Sequence, residues 1–126
     1  IKNLEQELAI AEIYPLLESD WIDEIKYFTI NEFKNKIVKD GEVIIIETVE
    51  ELNSKYNQDV FNPFDGSLIR AADHLAAFLE VWNSCNAGIN TDEMSTAAHN
   101  IRERYMNKKY GDIEFRRIYE HFKNPC

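Results

Sequence analysis

Apolar and polar residues alternate along most of this chain with the period of an α-helix. A first helix is expected over residues 1–13, where apolar side chains recur three or four positions apart at Ile1, Leu4, Leu8 and Ala11. Pro15 is expected to break that helix. A second helix is expected over residues 20–28, capped by Ser19 or Asp20, with one face formed by Trp21, Ile25 and Phe28.

The segment from residue 29 to residue 46 fits two structures. Thr29 and Glu32 have the spacing of a helix capping box, and the apolar residues that follow them fit a helix. The stretch KIVKDGEVIII instead resembles two short strands joined by an Asp-Gly turn. The β-branched run 43–46 favours the strands, so we expect a small hairpin over about residues 35–46, with a helix as the alternative.

The remaining segments again predict helices. Thr48 opens a short one, Asp65 or Ser67 caps a long one over residues 66 to about 84, and Gly88 ends it. Its apolar stripe, expected to be buried, consists of Leu68, Ala71, Leu75, Phe78 and Trp82. Thr91 or Asp92 starts the next helix and Asp112 caps the last. The sequence therefore predicts a mainly α fold of five to six helices in a single domain, residues 1–126.

Charge narrows the classes of partner. The chain has 23 acidic and 14 basic residues, a net charge of −9 and a pI near 4.8. Such a surface argues against nucleic acid and against an anionic membrane as partners. A small phosphorylated substrate stays compatible with it, because a metal ion reverses the local field.

The two cysteines, Cys85 and Cys126, lie far apart and form no CxxC pair. This spacing argues against a zinc knuckle and against a structural disulfide, so we expect a reducing, cytoplasmic location. The sequence leaves homo-oligomer formation open.

Asp73 is the residue that raises a chemical question. It lies among alanines and a leucine, beside the apolar stripe of the long helix, where a carboxylate needs a partner or solvent. Arg70, three positions earlier, is one such partner. The other interpretation is a metal ligand whose co-ligands lie elsewhere.

Other candidate residues have simpler interpretations. His74 follows Asp73 directly, so the two side chains diverge by about 100° and do not readily share a metal ion. His99 and His121 are expected at the surface or in boundary packing, and Trp21 and Trp82 are expected to anchor the core. No motif of a zinc protease, a P-loop or a serine hydrolase occurs in the sequence.

The stretch SLIRAADHLAAFLE resembles a late helix of the HD-domain metal-dependent phosphohydrolases, in the branch of the bacterial 5′-deoxyribonucleotidases. In that family the helix has a hydrophobic residue, a basic residue, two small residues, the metal-binding aspartate and a leucine. The matching positions here begin at Ile69 and Arg70 and end at Asp73 and Leu75. Residues 1–28 and 89–105 are similar to the family's neighbouring helices.

The resemblance implies that Asp73 is one ligand of a divalent metal ion, whether Mn, Co, Mg, Zn or Fe. The family's site also needs a first histidine and an adjacent His-Asp pair; no His-Asp dipeptide occurs in this chain, which matches only the late aspartate, at Asp73. The chain then corresponds to the C-terminal part of an HD domain and is expected to be inactive alone. In the complete domain the implied substrate is a small phosphate monoester, such as a nucleotide. The alternative is a non-catalytic helical binding or regulatory module.

Overall fold

The structure, a computed structural model, describes residues 1–123. Within that range the chain forms six α-helices and two short β-hairpins, so the predicted mainly α class is confirmed. The helices are α1 (Lys2–Ile13), α2 (Ser19–Thr29), α3 (Val49–Lys55), α4 (Gly66–Asn86), α5 (Asp92–Tyr105) and α6 (Phe115–His121). The strands are β1 (Asn35–Lys39), β2 (Glu42–Ile46), β3 (Lys109–Tyr110) and β4 (Ile113–Glu114).

Two compact units make up the chain. The first covers residues 1–69 and the second begins at Arg70. Charge is divided unevenly between them: residues 1–69 contain 15 acidic and 6 basic residues, whereas the rest of the sequence contains eight of each. The net charge of −9 therefore belongs to the first unit. A single domain over residues 1–126 stays a prediction.

The hairpin predicted over residues 35–46 is confirmed, and the helical alternative is wrong. β1 and β2 pair antiparallel, with Val38 opposite Val43 and Lys36 opposite Ile45. Asp40 and Gly41, at the turn, both have positive φ, at 53° and 78°. Two consecutive positive φ values give the type of turn whose twist matches a hairpin, which explains the Asp-Gly pair.

One face of this hairpin packs into the core of the first unit. Ile37 and Ile46 are buried there against Leu52 of α3, with Tyr56 and Phe61 partly buried around them. The Thr48 hydroxyl accepts a hydrogen bond from the Glu51 N–H at 3.1 Å, which confirms the predicted cap of α3.

The helices α1 and α2 form where they were predicted, but they bury different residues. Pro15 lies in a 3₁₀ helix, Tyr14–Leu16, directly after α1, as its helix-breaking role predicts. The buried residues are Ile10 in α1 and Ile22 in α2, whereas Trp21 and Phe28 are more than half exposed. The apolar residues on the predicted helix faces are thus mostly exposed, and the core role predicted for Trp21 is wrong.

The start of α4 lies against β1. The backbones of Lys36 and Phe64 exchange hydrogen bonds of 3.0 and 2.8 Å, and the Asn35 side chain accepts one from the Ser67 N–H at 3.1 Å. A Cβ atom at Gly66 would lie 2.2 Å from the backbone oxygen of Lys34. Only glycine fits this close approach.

The second unit has an aromatic core built around α6. Tyr119 and Phe78 are fully buried and their ring centroids lie 4.9 Å apart, while Tyr105 and Phe115 are nearly so. The predicted cap of the last helix at Asp112 is wrong: residues 113–114 pair with 109–110 as a hairpin, and α6 begins only at Phe115.

Candidate functional site

The helix that carries Asp73 is continuous and has the predicted ends. It spans 21 residues. The Asp65 carboxylate accepts a hydrogen bond from the Leu68 N–H at 2.9 Å, which is the expected N-terminal cap. Gly88, at φ 82°, follows its C-terminus, where the Ile89 N–H bonds the Ser84 carbonyl at 2.8 Å.

Burial along α4 is weaker than its apolar stripe predicts. Ala71 and Phe78 are fully buried, whereas Leu68, Leu75 and Trp82 are only half-buried. Trp82 packs edge-on against the Phe122 ring at 5.1 Å. The stripe is thus confirmed for two of its five members and only partly for the others.

Asp73 is exposed on the outer side of this helix. Within residues 1–123 its carboxylate makes no hydrogen bond and no ion pair, so the predicted pairing with Arg70 is wrong. Solvent compensates the charge, which removes the cost of placing a carboxylate among alanines. Asp73 therefore has no structural role that its contacts identify.

A complete metal site needs three or four ligands that converge on one point. Among residues 1–123 no group of three or more histidine, cysteine, aspartate or glutamate side chains is placed to hold a metal ion. The described part of the chain does not fit a metal centre by itself, with Asp73 as at most one donor. No catalytic step follows from these residues alone.

His74 turns away from Asp73 and into the second unit. Its Nδ1 lies 2.6 Å from the hydroxyl of Tyr105, which is nearly fully buried. Burial lowers the pKa of His74, and the positive charges of Arg70 and Arg104 lower it further, although Asp73 raises it. A neutral imidazole with one nitrogen bonded to a tyrosine is a packing group.

The other histidines also have the predicted surface or boundary roles. His99 is exposed, and its Nε2 lies 3.4 Å from a Glu103 carboxylate oxygen one turn away. His121 packs edge-on against Phe122 with ring centroids 4.9 Å apart.

A large cavity lies within the first unit and was not foreseen from the sequence. We call it the hairpin groove. It has a volume of about 1150 Å³ and is bounded by α1, α2 and the hairpin face opposite the core. Its hairpin wall consists of Lys36, Val38, Val43 and Ile45. Its helical wall includes Glu7, Ile10, Tyr14, Asp23, Glu24 and Tyr27.

The hairpin wall was accessible to sequence reasoning. A turn centred on Asp40 and Gly41 fixes the register, so Val38 must face Val43 and Lys36 must face Ile45 on one side of the sheet. The helical wall was not, because nothing in the sequence states which faces of α1 and α2 meet the hairpin.

Lys36 lies at the base of this groove with its ammonium group compensated by protein atoms. It donates hydrogen bonds to the backbone carbonyls of Ile30, at 2.7 Å, and Tyr27, which belong to the end of α2. Its Nζ also lies over the rings of Tyr27 and Phe64, at 4.9 and 4.5 Å from their centroids. Burial lowers the pKa of Lys36, while Glu32 raises it. Two of the three N–H donors of Lys36 therefore bind carbonyl groups at the end of α2, and the side chain, which is only 1% exposed, is kept out of bulk solvent.

The cysteine expectation is wrong for Cys85, which is disulfide-bonded. Spacing along the sequence is a poor guide here, since a disulfide depends on the distance between the two cysteines in space. Cys126 lies outside the described residues. Within residues 1–123, no helix is both long enough and apolar enough to cross a membrane.

Comparison of this chain with known families, proteins and structures identified no relative. No protein-family model, no curated protein and no solved structure matches this chain.

Proposed function

We propose that this chain is the part of an HD-type metal-dependent phosphohydrolase that supplies one metal ligand, Asp73. The proposal is supported by the resemblance of the stretch SLIRAADHLAAFLE to the metal-binding helix of that family, in which Asp73 occupies the position of the aspartate ligand. The Asp73 side chain is exposed on a regular 21-residue helix and has no hydrogen bond or ion pair with any described residue. A ligand carboxylate is normally held in place by packing and by hydrogen bonds from surrounding residues, and in this proposal those partners also come from outside this sequence.

The remaining ligands would come from residues outside this sequence. A divalent metal ion held in such a site supplies an activated water and neutralises phosphate charge, which suits a small phosphorylated substrate such as a nucleotide. The 126-residue chain alone is then inactive. A cytoplasmic location stays a prediction, and the disulfide at Cys85 counts against it, because disulfides persist mainly in oxidising compartments.

The test compares Asp73→Asn with Glu80→Gln in the longest natural form of the protein that contains this sequence. Both residues are exposed carboxylates on α4, so the two variants lose the same charge from the same helix. Asp73→Asn should lower both the bound Mn²⁺ or Co²⁺ and the hydrolysis of deoxynucleoside monophosphates by at least tenfold. Glu80→Gln should change neither. Equal metal content and equal turnover in the two variants would contradict the ligand role.

A second candidate, a non-catalytic helical binding module, is favoured by the hairpin groove. This function needs no metal ligand, and it places the functional surface in residues 1–69. A cavity with exposed apolar and acidic walls is the kind of surface at which a partner binds.

A further inference from the structure

The hairpin groove combines exposed apolar surface with three carboxylates that form no ion pair with a described residue. Tyr14, Val43 and Ile45, which line it, are 56%, 55% and 45% exposed. Exposing these apolar side chains to water is unfavourable in free energy, and a bound apolar group that covers them would remove that unfavourable exposure. Apolar side chains gathered in one concave surface are typical of a binding site.

Three carboxylates stand along the helical wall of the groove. Glu7, Asp23 and Glu24 are exposed, and none of them makes a hydrogen bond or an ion pair with a residue in the range 1–123. Lys36, at the base of the groove, forms no ion pair with them: its hydrogen bonds go to backbone carbonyls, and Glu32 is the carboxylate that raises its pKa. Lys26 is the one exposed cation among the described lining residues.

The surrounding charge has the same sign. The groove belongs to the unit that carries 15 acidic and 6 basic residues. A second copy of this unit would meet it with like charge, whereas a basic partner would be attracted over a longer range.

The size of the groove favours a peptide segment over a small molecule as its ligand. Its volume of about 1150 Å³ lies above the range of about 300–1,000 Å³ usual for small-molecule pockets. The edge of β2 opposite β1 has no strand partner within residues 1–123, so its backbone groups are available to an extended segment.

We propose that the hairpin groove binds a basic, amphipathic peptide segment of a partner protein. Apolar side chains of that segment cover Val43 and Ile45, and its lysine or arginine side chains pair with Glu7, Asp23 and Glu24. The inference rests on the binding-module function and is independent of Asp73.

The experiment uses two synthetic peptides of one apolar pattern, one built from leucine and lysine and the other from leucine and glutamate. Fluorescence anisotropy measures the binding of each to the 126-residue chain. The leucine–lysine peptide should bind at least tenfold more tightly than the leucine–glutamate peptide, a difference of about 1.4 kcal/mol.

Two triple variants distinguish binding in the groove from nonspecific attraction to the negative charge of the chain. The groove variant is Glu7→Gln, Asp23→Asn, Glu24→Gln. The control variant, Glu12→Gln, Glu47→Gln, Glu50→Gln, removes three exposed carboxylates of the same unit that do not line the groove. Both carry the same net charge. The groove variant should bind the leucine–lysine peptide at least tenfold more weakly, and the control should change its affinity less than twofold.

A second pair of variants tests the apolar wall. Val43→Thr replaces a groove residue, and Val60→Thr replaces a valine that is 79% exposed outside the groove. Because both valines are largely exposed, neither change should unfold the chain. Val43→Thr should weaken the leucine–lysine peptide by several-fold and Val60→Thr should leave its affinity unchanged.

Each other result overturns the proposal in a recognisable way. Tighter binding of the leucine–glutamate peptide would keep a binding function but refute the basic partner. Equal losses in the two triple variants would place the peptide outside the groove. Binding of neither peptide would refute the basic peptide partner and leave the binding-module function to be judged separately, and a dimer that dissociates in the groove variant would assign the groove to a second copy of the chain.

Discussion

The hydroxyl of Tyr119 offers a sharp test of the core of the second unit. Its side chain is fully buried, and its oxygen has no hydrogen-bond partner within residues 1–123. Tyr105 is nearly as buried, but its hydroxyl bonds the His74 Nδ1 at 2.6 Å. The two tyrosines therefore differ mainly in whether the buried hydroxyl is paired.

Tyr119→Phe should leave the chain equally stable or stabilise it by up to about 1 kcal/mol. Leaving a buried donor unpaired costs about 1–3 kcal/mol, and the lost packing of one oxygen atom offsets part of that gain. The ring contact with Phe78 is kept. Tyr105→Phe should instead destabilise by about 0.5–1.5 kcal/mol, because it deletes a made hydrogen bond.

Urea denaturation at neutral pH measures both variants. If Tyr119→Phe costs as much as Tyr105→Phe, the Tyr119 hydroxyl has a partner, such as a buried water, and its description as unpaired is wrong. Alkaline pH supplies a second readout, because burial, and after it the charge of Tyr105, raise the pKa of Tyr119 to about 12.

The sign of that pH dependence follows from the two states. Below pH about 10 tyrosine is neutral in both the folded and the unfolded chain, and the full stability is present. Between pH about 10 and about 12 the unfolded chain ionises Tyr119 first, so stability falls, by at most about 3 kcal/mol. Tyr119→Phe lacks this loss, and its advantage over the wild type should grow through that window.

Three further outcomes are expected. Gly66→Ala should destabilise the chain by about 1–3 kcal/mol in urea melts, since the new Cβ would lie 2.2 Å from a backbone oxygen, and a loss below about 0.5 kcal/mol would contradict that approach. Phe78→Ala should cost about 3–5 kcal/mol and half-buried Leu75→Ala clearly less, whereas equal losses would mean that α4 packs on a different face. Cys85 should be alkylated only after reduction, as read by peptide mass spectrometry, and labelling without reductant would refute its disulfide.

Local chemistry made several elements predictable. The cap at Thr48, the turn at Asp40 and Gly41 and the C-terminal glycine of α4 each satisfy backbone groups within a few residues. Such local features can be predicted from the sequence, because the residues that form each of them are close neighbours along the chain.

Choices between competing faces were not predictable in this way. In α2, Trp21 and Ile22 are neighbours that point to different sides, and either could head an apolar stripe. The structure buries Ile22 and exposes Trp21, which contributes to a shallow surface depression with Phe28. Which side is buried depends on packing with distant residues, and a single helix does not encode it.

Lys36 and Asp73 show the same limit for charged residues. Lys36 looks like an ordinary surface lysine in a strand, yet it is buried because the carbonyls at the end of α2 accept its hydrogen bonds. Asp73 looks half-buried from its alanine neighbours, yet it is exposed. A charge is placed by the partners it finds in space.

Salt offers a way to separate the charge of the groove from the stability of the fold. The 15 acidic and 6 basic residues of the first unit repel one another on balance, and this repulsion opposes a compact state. Raising NaCl to about 0.5 M shortens the screening length to well below about 10 Å.

Urea melts in high salt should then show a more stable chain, because the repulsion is weakened. The affinity for the leucine–lysine peptide should fall over the same range, because attraction to the groove carboxylates is screened as well. Salt should therefore raise the stability of the chain and lower its affinity for the peptide. Partial unfolding in salt would lower both quantities, so these opposite changes would exclude it as the cause of the weaker binding. A parallel fall of stability and affinity would therefore refute the electrostatic account of the groove.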